Sequence, residues 1–204
     1  MSITLSELPF LSDSVAHSGF ATSVITVAFA EIGDKTQLLS LLLAAKFRNK
    51  AAIVGGILLA TLLNHAASAW LGVWLGQSLD SWMNEGAGRW ILAAGFLAMA
   101  LWVLVPDKDD DSTDTHQAWG AFLATTVLFF LAEIGDKTQV ATVLLGAEFS
   151  SVFWVTMGTT LGMMLANVPV VLYGDRLMKH MPLSSARYIT SAVFMALTLW
   201  VVLR

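Results

Sequence analysis

Two copies of one short motif carry side chains that could bind a cation. Residues 30–37 read AEIGDKTQ, and residues 132–139 read AEIGDKTQ again. Each copy lies in the middle of a long apolar segment: Glu31 is 14 residues after His17 and 15 before Lys46, or about 21 Å of helix on either side. A charged side chain at that depth in a bilayer costs roughly 2.5–3.5 kcal/mol. Such residues are kept where they pair, line a wet cavity or hold a ligand, so we expect a functional site at each motif.

The spacing within each motif brings its polar groups together. In a regular helix three side chains of the first copy project from one face, namely Glu31, Asp34 and Lys35. Gln37 widens that face, whereas Thr36 points away from it. Gly33 lies between the two acids and favours local unwinding, which would free backbone carbonyl groups and could turn Thr36 towards the site.

Pooling the two copies predicts one cation site built from hard oxygen atoms. The predicted cation ligands are Glu31, Asp34, Glu133, Asp136, Gln37 and Gln139. The predicted supporting residues are Lys35, Thr36, Lys137 and Thr138. The chain has no cysteine, and oxygen ligands favour calcium, magnesium or manganese over zinc or copper. Crowded, buried carboxylates also favour proton binding, so a divalent cation and protons would compete for the same oxygen atoms, as antiport requires.

The composition indicates an integral membrane protein. Of 204 residues, 56% are hydrophobic and 13% are charged, against about 25% charged residues in a typical soluble domain. Six apolar segments approach or exceed the roughly 20 residues that cross a bilayer as a helix. They lie near residues 18–45, 51–79, 88–105, 118–147, 150–174 and 184–203.

The motif repeat extends outward into two homologous halves. At the same offset Phe20 aligns with Phe122 and Gly56 with Gly158. Three spans in each half force the second copy into the opposite orientation, an arrangement that recurs in secondary transporters. We therefore predict an all-α integral membrane protein with six transmembrane helices as two inverted three-helix repeats. Residues 1–105 form the first repeat, 106–117 an acidic cytoplasmic linker and 118–204 the second, inverted repeat.

Basic residues in the short loops predict the orientation. Those that alternation places on one side are Lys46, Arg48, Lys50, Lys108, Arg176, Lys179 and Arg187. Both termini are therefore predicted to face away from the cytoplasm. The first 16 residues lack the basic region of a secretory signal, so we expect the first apolar segment to be retained as a span.

The doubled Glu-x-Gly-Asp-Lys-Thr motif resembles the calcium/manganese cation:proton antiporter family over essentially the whole chain. The resemblance implies exchange of a divalent cation for protons, with manganese export as the expected reaction of a bacterial member. It places the family's motif acids on Glu31, Asp34, Glu133 and Asp136. We accordingly expect a multi-pass protein of the bacterial inner membrane, with Mn²⁺ or Ca²⁺ and H⁺ as substrates. Access would alternate as one half rocks against the other.

Other interpretations stay open at this point. A gated cation channel would show flux independent of a proton gradient. An exporter of a small organic cation would need aromatic side chains beside the acids, as Phe29, Phe129 and Phe130 could provide. A membrane assembly factor would tolerate neutralisation of the motif acids. An enzyme is not expected, because no nucleophile–base set appears. No prosthetic group and no nucleic-acid partner are expected; membrane lipid is an expected partner, and a homodimer is left open.

Three further polar residues lie in the second spans, two in the first half and one in the second. Asn64, His65 and Asn167 could support the site or relay protons, or could simply form hydrogen bonds between helices. Glu31 could likewise form a structural ion pair with Lys35. An identical second motif is not needed for that purpose, and buried ion pairs contribute little stability.

Overall fold

The computed structural model describes residues 9–82, 87–104, 120–174 and 183–203, and within these the side chains of residues 18–78, 88–104, 120–174 and 188–203. These residues form eight α-helices. They are α1 (Pro9–Ala30), α2 (Lys35–Lys46), α3 (Lys50–Trp82), α4 (Ala87–Trp102), α5 (Ala121–Glu133), α6 (Lys137–Phe149), α7 (Val152–Tyr173) and α8 (Leu183–Leu203). The predicted linker 106–117 and several of the loop basic residues lie outside this description.

The eight helices correspond to the six predicted apolar segments, because two segments are interrupted. The first segment is divided between α1 and α2, and the fourth between α5 and α6, in both cases within the repeated motif. Two helices contain apolar stretches long enough to cross a bilayer unaided, Lys50–Ser78 and Val152–Tyr173. The other apolar stretches with described side chains are shorter, and two of them, Ser18–Ala30 and Ala121–Glu133, end where the chain breaks at the motif.

The distribution of polar and apolar side chains in the fold suits an apolar surrounding. Large apolar side chains lie on the outside, among them Trp70, Trp74 and Phe153, which are 60%, 53% and 63% exposed. Hydroxyl, amide and carboxylate side chains are buried instead, for example Gln37 and Thr61 at 0% exposure. Each buried polar group needs a partner within the protein. This inside-out distribution agrees with the membrane assignment.

The two sequence repeats interleave. Helix α1 packs on α7, α3 packs on α5 and α6, and α4 packs on α8, whereas contacts within one repeat are few among the described residues. The close approaches occur at aligned glycines. A Cβ on Gly158 would lie 2.6 Å from the carbonyl oxygen of Phe20, and one on Gly56 would lie 2.8 Å from that of Phe122. Each repeat is thus held mainly by the other, which argues against a simple rocking of one half against the other.

Two apolar clusters flank the broken helices. One contains Phe96 and Phe194, whose rings stack with centroids 6.3 Å apart and join α4 to α8. The other contains Leu43, Ile57 and Phe129 and joins α2, α3 and α5. The motif residues lie where these helices meet, so the clusters hold both chain breaks in place.

Candidate cation site

Both motif helices unwind at the glycine of the motif. Helix α1 ends at Ala30 and α2 begins at Lys35, and the second copy has the same interruption between α5 and α6. Gly33 has φ +80° and Gly135 has φ +76°, a left-handed conformation that glycine adopts without a Cβ clash. The prediction that Glu31, Asp34 and Lys35 lie on one face of a regular helix is therefore wrong, because these residues span a turn. The unwinding that Gly33 was expected to favour is present.

The glutamines of the motif stabilise these turns. The Oε1 atom of Gln37 accepts the N–H of Gly33 at 2.8 Å, and that of Gln139 accepts the N–H of Gly135 at 2.7 Å. Gln37 also donates from Nε2 to the carbonyl oxygen of Ala166 at 3.0 Å. Both amide oxygens thus satisfy backbone groups that the break leaves without a helical partner. Their role as cation ligands stays a prediction.

The two aspartates stand at the starts of the second half-helices. Asp34 is the N-cap residue of α2, and Asp136 is the N-cap residue of α6. The Asp136 carboxylate accepts the backbone N–H groups of Thr138 and Gln139. Negative charge is favoured at a helix N-terminus, where free N–H groups and the helix dipole converge. Breaking each span therefore creates a favourable place for an acid at the depth where an acid would otherwise be most costly.

Three carboxylates from the two motifs come together. Glu31, Asp34 and Asp136 each place one oxygen within 4.8 Å of the other two. Glu31 is fully buried, and the aspartates are 7% and 6% exposed. Anionic oxygen atoms at this spacing match the ligands that Ca²⁺, Mg²⁺ and Mn²⁺ take.

Both motif threonines turn towards the same glutamate. The hydroxyl of Thr36 donates to one oxygen of Glu31, and the hydroxyl of Thr138 donates to the other. Thr36 lies five positions after Glu31, so it reaches that carboxylate because the chain unwinds between them. Thr138 comes from the second repeat. Glu31 is thus held by two hydroxyl groups, in place of the ion pair with Lys35 considered above.

Glu133, the repeat counterpart of Glu31, forms its hydrogen bonds with side chains of α3. Its Oε1 accepts the hydroxyl of Thr61 at 2.8 Å, and its Oε2 accepts the Nδ2 of Asn64 at 3.1 Å. Asn64 also donates to the carbonyl oxygen of Phe130 at 3.0 Å, near the end of α5. Glu133 is 1% exposed and is not part of the three-carboxylate cluster. Identical motifs therefore have unlike surroundings.

The lysines begin the two half-helices. Lys35 and Lys137 are the first residues of α2 and α6, and both are half-buried. Lys137 and Asp34 face a small cavity between α1, α4, α6 and α8, whose wall also includes Phe29, Val103 and Thr190. The cavity reaches one acid of the cluster, Asp34.

Thr61 was missed by the sequence analysis. The available signal was its spacing, because Thr61 precedes Asn64 by three residues and both fall in the middle of the second apolar segment. Asn64 fits both interpretations that were left open, since it joins two helices and also contacts a motif acid.

His65 is 1% exposed, and neither of its ring nitrogen atoms has a hydrogen-bond partner among the described residues. Asn167 accepts a hydrogen bond from Ser40 at 2.8 Å.

Comparison with known proteins identifies relatives over most of the chain. Residues 19–111 and 121–204 match the family described as Divalent cation/proton antiporter GDT1. A protein of Vibrio cholerae named "Putative manganese exporter" is 49% identical over 183 residues, covering 89% of this chain and 89% of that protein. A GDT1-like protein of Synechocystis is 24% identical over 77% of this chain and 83% of its own length. The chloroplastic protein PAM71 of Arabidopsis thaliana is 27% identical over 87% of this chain and 55% of its own length. No solved structure matches the chain significantly.

Proposed function

We propose a specific reaction for this chain, which belongs to the GDT1 family of divalent cation/proton antiporters: it exports Mn²⁺ across the bacterial cell membrane in exchange for protons. Membership of that family makes it a membrane transporter of divalent cations and protons. The relative named as a manganese exporter supports Mn²⁺ as the cation. The observation that carries the proposal is the cluster of Glu31, Asp34 and Asp136, because it supplies three anionic oxygen ligands from both repeats at one place.

The charge of this cluster supports exchange. Two unit charges 4.8 Å apart repel by about 3.5 kcal/mol at an effective dielectric constant of 20. Three ionised carboxylates at that spacing therefore require compensating positive charge. A divalent cation or protons can supply it at the same oxygen atoms, so the arrival of one favours the departure of the other. Lys35 and Lys137, at the edge of the site, reduce the net negative charge that the divalent cation or the protons have to neutralise.

The small cavity beside Asp34 provides the proposed path from the cytoplasm. Its wall includes Val103, which directly follows α4, and Thr190 in the first half of α8. In the predicted orientation, both the end of α4 and the start of α8 lie on the cytoplasmic side. An exporter loads its cation from that side, so we propose that this arrangement is the cytoplasm-facing state of the cycle.

The alternation of access would involve the α4–α8 pair. Helix α4 packs against α6, and α8 packs against α1. Exchanging each helix for its repeat counterpart gives the pairs α8 with α2 and α4 with α5, which have hardly any contact among the described residues. A Cβ on Gly95 would lie 2.7 Å from Leu144 of α6, while Leu42, the repeat counterpart of Leu144, is 52% exposed. We propose that the opposite state exchanges these contacts and covers α2 with α8.

Cysteine cross-linking tests this exchange without background reaction, since the chain has no cysteine. The pair Gly95→Cys with Leu144→Cys is expected to cross-link in the metal-free protein. The counterpart pair, Leu42→Cys with Val193→Cys, is expected to cross-link only when the cycle runs with Mn²⁺ and a pH gradient. Cross-linking of the second pair at equal rates with and without turnover would contradict the proposed movement.

Reconstitution in liposomes tests the transport reaction. Flux of Mn²⁺, Ca²⁺ and Mg²⁺ is followed under an imposed pH gradient for the wild-type protein, Glu31→Gln and Asp136→Asn. Mn²⁺ flux that follows the gradient and disappears in both variants is the expected result. Glu148→Gln is the matched control, because it neutralises a buried acid of α6 outside the cluster. Gradient-independent flux would indicate a channel, and absence of divalent flux would favour an organic cation or a non-transport role.

A further inference from the structure

The two motif glutamates have different partners on the second span of each repeat, which is α3 in the first repeat and α7 in the second. Glu133 receives hydrogen bonds from Thr61 and Asn64 of α3. The positions that correspond on α7 hold Met163 and Ala166, whose side chains offer no hydrogen-bond donor. Glu31 instead takes both motif threonines as donors, and on α7 it interacts with Asn167, one position beyond Ala166. The second spans therefore offer the two glutamates different partners, although the motifs themselves are identical.

The donors for Glu133 are held in a rigid place. A Cβ on Gly146 of α6 would lie 2.6 Å from the carbonyl oxygen of Ala69, and one on Gly72 of α3 would lie still closer to that of Val143. Backbone contact of this kind leaves little freedom for one helix to slide on the other. Thr61 is 0% and Asn64 3% exposed, so water cannot readily replace their hydrogen bonds to Glu133.

We infer that Thr61 and Asn64 are positioning residues that hold Glu133 outside the three-carboxylate cluster and thereby weaken cation binding enough for release. The inference deepens the proposed function and rests on it, because it takes Glu31, Asp34 and Asp136 as the cation site. A cation that recruits Glu133 as a fourth carboxylate must first displace two hydrogen bonds. The recruited state binds more tightly, and breaking it apart again would slow each turnover.

Removing one of these hydrogen bonds should change affinity and turnover in opposite directions. Thr61→Val keeps the shape of the side chain and removes the donor to Glu133 Oε1. We expect the Kd and KM for Mn²⁺ to fall roughly three- to tenfold, the net effect of one ordinary intramolecular hydrogen bond, while kcat falls as well. Asn64→Leu should change both quantities in the same directions. A purely structural role would lower the amount of folded protein and kcat without tightening the binding of Mn²⁺.

The test combines equilibrium binding with transport. Titration calorimetry with MnCl₂ measures Kd for the purified full chain in detergent, and liposome flux measures KM and kcat. Thr61→Ser retains the hydroxyl and is expected to return both constants towards the wild-type values. Thr198→Val is the matched control, because the Thr198 hydroxyl is buried and donates at 2.9 Å to Phe194 within its own helix.

The outcomes separate this inference from the proposed function. Mn²⁺ binding and proton-driven flux in the wild-type protein, with Thr61→Val binding no tighter than Thr198→Val, would overturn the positioning role alone. Absence of Mn²⁺ binding in the wild-type protein would overturn the proposed substrate and the positioning role together. Tighter binding with slower turnover in Thr61→Val, reversed in Thr61→Ser, would support both.

Discussion

The left-handed turn at Gly135 can be tested by adding a single methyl group. Gly135 has φ +76°, and a Cβ built on it would have no atom within 4 Å. Gly135→Ala therefore adds backbone strain without a steric clash. Placing an L-residue in the left-handed region costs about 1–2 kcal/mol.

The strain should appear first in stability. For a chain of this size each kcal/mol changes Tm by about 2–4 °C, so Gly135→Ala is expected to lower Tm by about 2–8 °C in detergent. Gly135→Asn should lose less, because asparagine tolerates this conformation better than alanine. If the strain is relieved by moving the start of α6, Mn²⁺ flux should also fall, by up to about tenfold for 1.4 kcal/mol.

A matched glycine provides the control. A Cβ added to Gly120 would likewise have no atom within 4 Å, but this glycine precedes α5 with φ −59°, which any residue adopts. Gly120→Ala is expected to leave Tm and flux unchanged. Equal Tm values for Gly135→Ala and Gly120→Ala would refute the argument that the motif glycine is required for its backbone conformation.

Two further predictions concern packing and the hydroxyl groups at Glu31. Gly158→Ala would place a Cβ 2.6 Å from the carbonyl oxygen of Phe20. It should therefore separate α1 from α7 and lower the free energy of unfolding by about 1–3 kcal/mol, measured by thermal unfolding in detergent. Unchanged stability would contradict the described contact. Thr36→Val and Thr138→Val each remove one hydrogen bond to the Glu31 carboxylate. Each should reduce Mn²⁺ flux at least about tenfold, and the corresponding serine variants should recover it. Equal flux in valine and serine variants would exclude a role for the hydroxyl groups.

Most of the elements could be predicted from the sequence because the signals are local. The six apolar segments and the repeated motif follow from hydropathy and from identical residues, and the structure places a helix or a pair of half-helices on each segment. Gly33 between two acids indicated that the chain could unwind there. Where the helix stops, however, is decided by the Gln37 amide, which satisfies the freed backbone group from four residues away.

The composition of the three-carboxylate cluster depends on tertiary contacts. Four motif acids were equivalent candidates, and three of them come together while Glu133 does not. The motif sequence contains no information on this choice, because the two copies are identical over eight residues. The choice follows from Thr61 and Asn64, which lie on a different helix from Glu133 and reach it because α3 packs on α5.

By itself, then, the sequence determined which residues lie deep in an apolar segment, that they occur twice, and that their oxygen atoms suit a hard divalent cation. These properties follow from residue type and spacing along the chain. The tertiary structure alone decided that both threonines bind Glu31, that Glu133 is held apart, and that the repeats interleave. Each of these depends on which helices touch, and two identical segments can differ only through the neighbours against which they pack.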